Sequence, residues 1–359
     1  MWEHSLFLVL HFIMSENEKK HREIDALGEF GLIETLTKGA TLKNPSSILG
    51  VGDDAAEIEL SAKESMLVSS DMLVEGVHFN LSYVPLKSLG FKAVSVNVSD
   101  ILAMNGKPEQ ITISLGVSSK FPVEALEELY KGIHAACAFY HVDLVGGDTV
   151  SSSSGLILSV SVIGRVSKKK ITYRAGAKEN DLVVVTGDVG SSYLGLQILE
   201  RERGVFMENP SIQPKLEGYD ELIKKQIQPI ARQDIIDLFE ELDIVPSAMI
   251  DISDGLASEA LHLAKSSDCS ISLYSEKLPI TEKLILTAEE LNLDPYMCAM
   301  NGGEDYELLF TIGQKDYDKI KNHPSFSVIG FVTDKSQKSL LIDKNNSAVP
   351  ISAQGWKHF

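Results

Sequence analysis

Apolar and polar residues alternate most cleanly over 156–166, where Leu158, Val160 and Val162 are interleaved with Ser159 and Ser161. That period of two predicts a half-buried strand. Residues 110–118 alternate in the same way, and 64–74 read as a strand that leads into a Ser-Ser-Asp turn. Helical spacing appears over 87–104, with Leu89, Ala93, Val96, Asn97, Asp100, Ile101 and Met104 near one side. Asn97 and Asp100 are three apart, so they face the same way. Phe121-Pro122 opens a second helix that runs to about Tyr140, with Pro at an allowed early position. Its stripe of Leu126, Leu129, Ile133, Ala136 and Tyr140 reads as core. An entry helix is expected over 28–36, and a strand at 142–145 that breaks at Gly146-Gly147-Asp148.

The second half repeats the mixture. A buried strand is expected at 182–187, a turn at Gly187–Gly190 and a helix at 191–202. Residues 203–230 form a polar, Pro-containing excursion. Helices follow near 231–242 and 256–265, the latter capped by Ser253 or Asp254. The segment 304–310 alternates again. Alternating strands with intervening helices predict an α+β protein with two layers per domain. The composition shifts at 167–180, where Lys168-Lys169-Lys170 precedes Arg174. The expected division is an extension over 1–27, a first domain over 28–166 and a second over 167–359.

With 359 residues the chain can hold two domains with real cores. Its 33 Lys and Arg against 51 Asp and Glu give a charge of −18, which excludes a general nucleic-acid binder. Cys137, Cys269 and Cys298 are isolated, so neither a disulfide framework nor a zinc site is expected. That usage fits a reducing cytoplasm. Residues 5–13 are apolar, but only Glu3 precedes them as a charge and no small-residue cleavage site follows. The run is too short to span a bilayer, and no other segment reads as transmembrane. Translation is therefore expected to start at Met14, with 1–13 an upstream artefact.

The chemistry is concentrated in acidic motifs. They are Gly-Asp-Asp-Ala-Ala at 52–56, Ser-Ser-Asp-Met-Leu-Val-Glu-Gly-Val-His-Phe at 69–79, Asn-Val-Ser-Asp at 97–100, Gly-Gly-Asp-Thr at 146–149 and Asp-Ile-Ser-Asp-Gly at 251–255. Each pairs Asp with Gly, Ser or Asn, residues of turns and strand ends. Clustered carboxylates repel one another unless cations sit among them, and hard oxygen ligands select Mg²⁺ or Ca²⁺. Metal-assisted phosphate chemistry is the first expectation. There is no P-loop, no His-Arg-Asp catalytic loop, no Rossmann fingerprint, no EF-hand spacing and no Gly-x-Ser-x-Gly elbow. Metal ions would then have to do the charge neutralisation of a P-loop.

With Gly-Gly-Glu-Asp-Tyr-Glu-Leu at 302–308 and a terminal His-Phe added, this ordered set resembles the thiamine-monophosphate kinases over roughly residues 28–359. They are a family of the aminoimidazole-ribotide-synthetase-like ATP-binding superfamily. The resemblance implies a two-domain fold of that superfamily, with mixed sheets flanked by helices. It implies ATP-dependent phosphorylation of thiamine monophosphate to thiamine diphosphate, the last step of that cofactor's biosynthesis, with several Mg²⁺ ions and a homodimer formed through the first domain. Such a phosphate nucleophile needs no general base. By the same resemblance the metal-site residues are Asp53, Asp54, Ser69, Ser70, Asp71, Asp100, Asp148, Asp251 and Asp254. Gly147, Asp148, Arg174 and Ser253 fall to ATP, and His78, Glu304 and Trp356 to the thiamine ester.

Two positions depart from the family pattern. Ser69-Ser70 stand where it usually has Thr-Thr, and Gln228-Pro229-Ile230-Ala231-Arg232 replaces a Pro-x-Pro-Arg-like element. No Cys precedes Cys137, unlike a selenophosphate synthetase, and the end Trp-Lys-His-Phe lacks the reactive Cys of the hydrogenase-maturation type. A ribotide synthetase and a non-catalytic nucleotide-binding regulator stay as alternatives.

Overall fold

A computed structural model describes residues 24–353; the proposed start at Met14 lies outside them. Helix α1 (Ile24–Thr37), the expected entry helix begun four residues earlier, belongs to one compact unit. The described chain from Leu42 to Ala353 belongs to a second unit.

The first sheet of that second unit contains β1 (Ser47–Leu49), β2 (Ala56–Glu59), β3 (Glu64–Val74), β4 (Lys107–Val117), β5 (Asp143–Ser151) and β6 (Ile157–Ser167). Their order is β1-β2-β3-β6-β4-β5. Only the β4–β5 pair is parallel, and a parallel pair needs a crossover. Helix α2 (Leu86–Ala103) lies before β4, and α3 (Val123–Tyr140) makes the crossover from β4 to β5. The apolar stripe expected for α3 is largely confirmed: Leu129, Ile133, Ala136 and Tyr140 are buried, while Leu126 is half-buried.

Helix α2 is not one-sided. Every residue from Leu89 to Ser99 is buried, because the helix is covered by the sheet, by α3 and by the second half of the chain. It crosses α3 at backbone contact. A Cβ at Gly90 would lie 2.1 Å from the Leu129 carbonyl oxygen, and one at Gly132 would lie 1.8 Å from that of Lys87.

The second sheet runs β13-β12-β9-β11-β7-β10-β8. Its strands are β7 (Leu182–Thr186), β8 (Ala248–Asp251), β9 (Ser270–Tyr274), β10 (Leu308–Ile312), β11 (Phe326–Thr333), β12 (Leu340–Ile342) and β13 (Ala348–Pro350). Around it lie α4 (Ser191–Glu208), α5 (Asp220–Ile227), α6 (Gln233–Glu241), α7 (Leu256–Ser266), α8 (Glu282–Glu290) and α9 (Pro295–Asn301). One hydrophobic cluster joins the halves, with Leu67, Ile101 and Val162 from the first and Phe239, Met249 and Phe310 from the second. Phe239 packs edge-on against Phe310 at 5.0 Å. This shared core seats β8 against α2.

Several expectations need correction. The break at Gly146–Asp148 is absent, and β5 runs straight through with a register shift opposite Ile111 and Thr112. The polar excursion is partly helical, since α4 continues to Glu208 and α5 follows. The alternation at 304–310 is not a strand throughout: Glu304 and Tyr306 are left-handed, and β10 begins only at Leu308 and is buried on both faces. Helix α7 is capped by neither Ser253 nor Asp254 but begins at Gly255, φ +117°. The Glu259 carboxylate in its first turn reaches back instead to accept from the Asp254 N–H at 3.1 Å. No helix among the described residues is long and apolar enough to cross a membrane.

Candidate metal and phosphate site

Three carboxylates from distant parts of the chain converge. Asp54 comes from the loop before β2, Asp100 from the last turn of α2 and Asp251 from the end of β8. One oxygen of each lies within 4.8 Å of the other two. Neighbours orient them. The Ser69 hydroxyl donates to Asp100 Oδ2 at 2.6 Å, and the Ser99 hydroxyl donates to Asp251 Oδ2 at 2.6 Å. Arg174 Nη2 donates to Asp54 Oδ1 at 2.5 Å, while its backbone N–H donates to both Asp53 oxygens. Asn97, fully buried, accepts the Asp71 N–H at 3.0 Å and donates to the Ala93 carbonyl oxygen. Helix α2 thus fixes the local backbone of β3.

Electrostatics agree with the geometry. Burial, and then Asp54, raise Asp251 to about 7. Burial and the Asp54 charge likewise raise Asp53 to about 7. Asp54 is raised by burial against the opposing pull of Arg174, and Asp100 lies well above its usual range through burial and the charges of Asp71 and Asp251. Carboxylates so placed hold protons unless a cation joins them. Asp54 Oδ2 is buried without a partner. An oxygen-only donor set with an orphaned carboxylate oxygen fits a hard divalent cation.

Other expected residues fall elsewhere. Strand alternation sends Ser69 to the Asp100 side and Ser70 to the opposite face, where its hydroxyl donates to the Val160 carbonyl oxygen and accepts from Ser161. Asp148 is exposed on edge strand β5 and lies outside the three-carboxylate group, with Oδ1 accepting the Thr149 N–H. The absence of a Cβ at Gly147 has a local reason: one would lie 1.8 Å from the Ile113 carbonyl oxygen across the β4–β5 pair. Asp254 and Ser253 sit in the loop after β8, where the Ser253 carbonyl accepts the Glu304 N–H at 2.7 Å. His78 closes a turn, its Nδ1 accepting the Val74 N–H at 3.1 Å. Glu304 pairs with Lys92 at 2.8 Å. Trp356 lies outside the described residues.

The sequence reading passed over Lys92, Ser99, Gln226 and Glu259. A lysine inside the apolar run Phe91–Val94 was the one visible signal. The Ser99–Asp251 and Lys92–Gln226 bonds join positions 152 and 134 residues apart.

The family model for the AIR synthase related protein, N-terminal domain, matches residues 52–166. Thiamine-monophosphate kinase of Bacillus subtilis is 34% identical, covering 93% of this chain and 100% of its own length. That of Aquifex aeolicus is 36% identical over 93% and 98%. Among solved structures, AaThiL complexed with AMPPCP and TMP superposes with a TM-score of 0.79 at 35% identity, covering 95% of this chain and 100% of that one. A hydrogenase maturation protein HypE in complex with ATP, 17% identical with a TM-score of 0.65, shares the fold alone. Identity above three-tenths along nearly the whole of both chains makes this protein a member of the thiamine-monophosphate kinase family of enzymes.

Proposed function

We propose that the chain transfers the γ-phosphoryl group of ATP in line to the phosphate of thiamine monophosphate, giving ADP and thiamine diphosphate. The observation that carries this reading is the convergence of Asp54, Asp100 and Asp251, in a chain that matches a thiamine-monophosphate kinase over 93% of its length. The P–O bond to ADP breaks as a bond forms from an oxygen of the acceptor phosphate. That oxygen belongs to a monoester whose second pKa is about 6, so it is already largely ionised at neutral pH. No residue needs to take a proton. The barrier is repulsion between two polyanions and the cost of aligning them.

Bound Mg²⁺ would neutralise those phosphates, and Asp54, Asp100 and Asp251 would hold it, with Asp53, Asp71, Asp148 and Asp254 as further metal-site residues. Ser69 and Ser99 keep two of the carboxylates aimed. Arg174, already the counter-ion of Asp54, would meet a nucleotide phosphate, with Gly147 and Ser253 beside the nucleotide. His78, Glu304 and Trp356 would face the thiamine ester, whose cationic ring suits a carboxylate and an aromatic face. Ser69 and Ser70 stay among the metal-site residues of this reading, each on its own face of β3.

The first domain, 28–166, would bind nucleotide and metal and form a homodimer, and 167–359 would complete the substrate cleft. The dimer reading draws on exposed apolar positions of the first sheet: Met72, Val145 and Val150 are each more than half exposed. Exposed apolar residues on an edge strand and elsewhere on its sheet invite a covering partner. Light scattering of the purified chain should then give twice 39.3 kDa; a monomer at micromolar concentration removes the dimer. A cytoplasmic location is the corresponding cellular reading.

The test of function incubates purified protein with Mg-ATP and thiamine monophosphate, with free thiamine in parallel. Thiamine diphosphate should form only from the monophosphate, match ADP mole for mole and disappear with EDTA. Absence of product from a protein that still binds Mg-ATP rejects the reading.

A further inference from the structure

Lys92 is 2% exposed in the middle of α2. Lysine is almost never buried so deeply unless paired. Its Nζ donates to the Gln226 carbonyl oxygen at 3.1 Å and lies 2.8 Å from Glu304 Oε1. The second Glu304 oxygen accepts from Gln226 Nε2 at 2.5 Å, and Gln226 Oε1 accepts from the Ser192 hydroxyl at 2.7 Å. The carboxylate is therefore gripped on both oxygens while its side chain stays 26% exposed. Its backbone is left-handed at φ +61°, followed by Tyr306 at +51°. Bulky residues hold that conformation only where their surroundings impose it. The Tyr306 hydroxyl, raised by burial, is pushed further by Glu304, Asp71, Asp251 and Asp100, so these groups share one neighbourhood.

We infer that Lys92 is a positioning residue: it fixes the Glu304 carboxylate toward the acceptor substrate and ties that position to α2, the helix that carries Asp100. Eight residues separate the two, about 12 Å along the axis. The metal-side carboxylate and the substrate-side carboxylate are then set at a fixed spacing by one rigid element. A lysine suits the task because one ammonium can serve the Gln226 carbonyl and the Glu304 carboxylate at once. The inference rests on the reading of Glu304 as a contact of the thiamine ester.

A double-mutant cycle tests it, with Lys92→Met, Glu304→Gln and the pair assayed in the full-length protein while thiamine monophosphate and ATP are varied separately. Glu304→Gln should raise KM for thiamine monophosphate about tenfold, with that for ATP changed less than about twofold. Lys92→Met should show the same split, and the double variant should be no worse than the more damaged single one, because both changes remove one interaction. If Lys92→Met leaves KM for thiamine monophosphate unchanged, or if the two effects multiply, the inference is overturned and the role of Glu304 survives. If Glu304→Gln is silent, that role falls and the inference with it. Should Lys92→Met fail to fold, Glu304→Gln is compared with the double variant, in which no unpaired charge is left. Equal KM values support the inference, and a further tenfold rise overturns it.

Discussion

Burial first, and then the charges of Asp71, Asp251 and Asp54, hold the Asp100 carboxyl well above its usual range, against the opposing hydrogen bond from the Ser69 hydroxyl. Asparagine has the same shape and no charge. Asp100→Asn should therefore leave the metal-free protein as thermostable as the parent or more so, yet lower turnover by about two orders of magnitude or more. A melting curve beside a steady-state assay checks both halves, and an unchanged rate takes Asp100 out of the site. His78→Ala should raise KM for thiamine monophosphate more than that for ATP; equal effects would argue for a structural role, of which its turn-closing bond to Val74 is one part. Single residues of the cluster were legible in the sequence because each Asp lies in a short motif that also carries Gly, Ser or Asn. Their mutual distances were not. The bond from Ser99 to Asp251 joins positions 152 apart and depends on β8 lying against α2. Alternation along β3 puts Ser70 on the other face from Ser69, where its hydroxyl meets the Val160 carbonyl.

At the scale of elements, β6 matches its expected bounds almost to the residue, and so does β3, but the expected Ser-Ser-Asp turn is absent because 69–71 stay paired with β6 inside the strand. Strands buried on both faces, such as β8 and β10, offer no alternation, so their ends and partners stayed hidden. Helix α2 was legible as a helix, but not as one covered on all sides. Its crossing with α3 is set by two glycines. Gly132→Ala would drive a methyl group into the Lys87 carbonyl, 1.8 Å away, and force the helices apart. Overpacking of that kind should cost about 3 kcal/mol, read as a lower urea midpoint at unchanged slope. Gly147→Ala separates two explanations of one motif. The contact with the Ile113 carbonyl requires a loss of stability. A glycine needed only for close approach of phosphate would lose ATP affinity and keep its urea midpoint.

At the scale of the whole molecule the acidic balance of −18 and the buried carboxylate cluster make stability depend on pH in a defined direction. Asp53 and Asp251 rise from 3.8 to about 7 on folding, by burial first and the Asp54 charge second. Over that interval the folded chain binds more protons than the unfolded chain, so its stability falls as pH rises. The fall begins near the unfolded carboxylate range and is complete once pH exceeds the folded value. Lowered carboxylates such as Glu240 and Asp334 act in the opposite direction, but they are exposed and their effect is complete above the ordinary carboxylate range. In EDTA the melting temperature should therefore drop between about pH 5 and pH 8. Mg²⁺ binds the ionised carboxylates, so the stabilisation it adds should be small at the acid end and grow across that interval. In Asp100→Asn both the drop and the Mg²⁺ increment should shrink together, since one charge serves both. A Mg²⁺ increment that is the same at every pH, or a melting temperature in EDTA that climbs toward pH 8, would mean that the cation stabilises the protein elsewhere than among Asp54, Asp100 and Asp251.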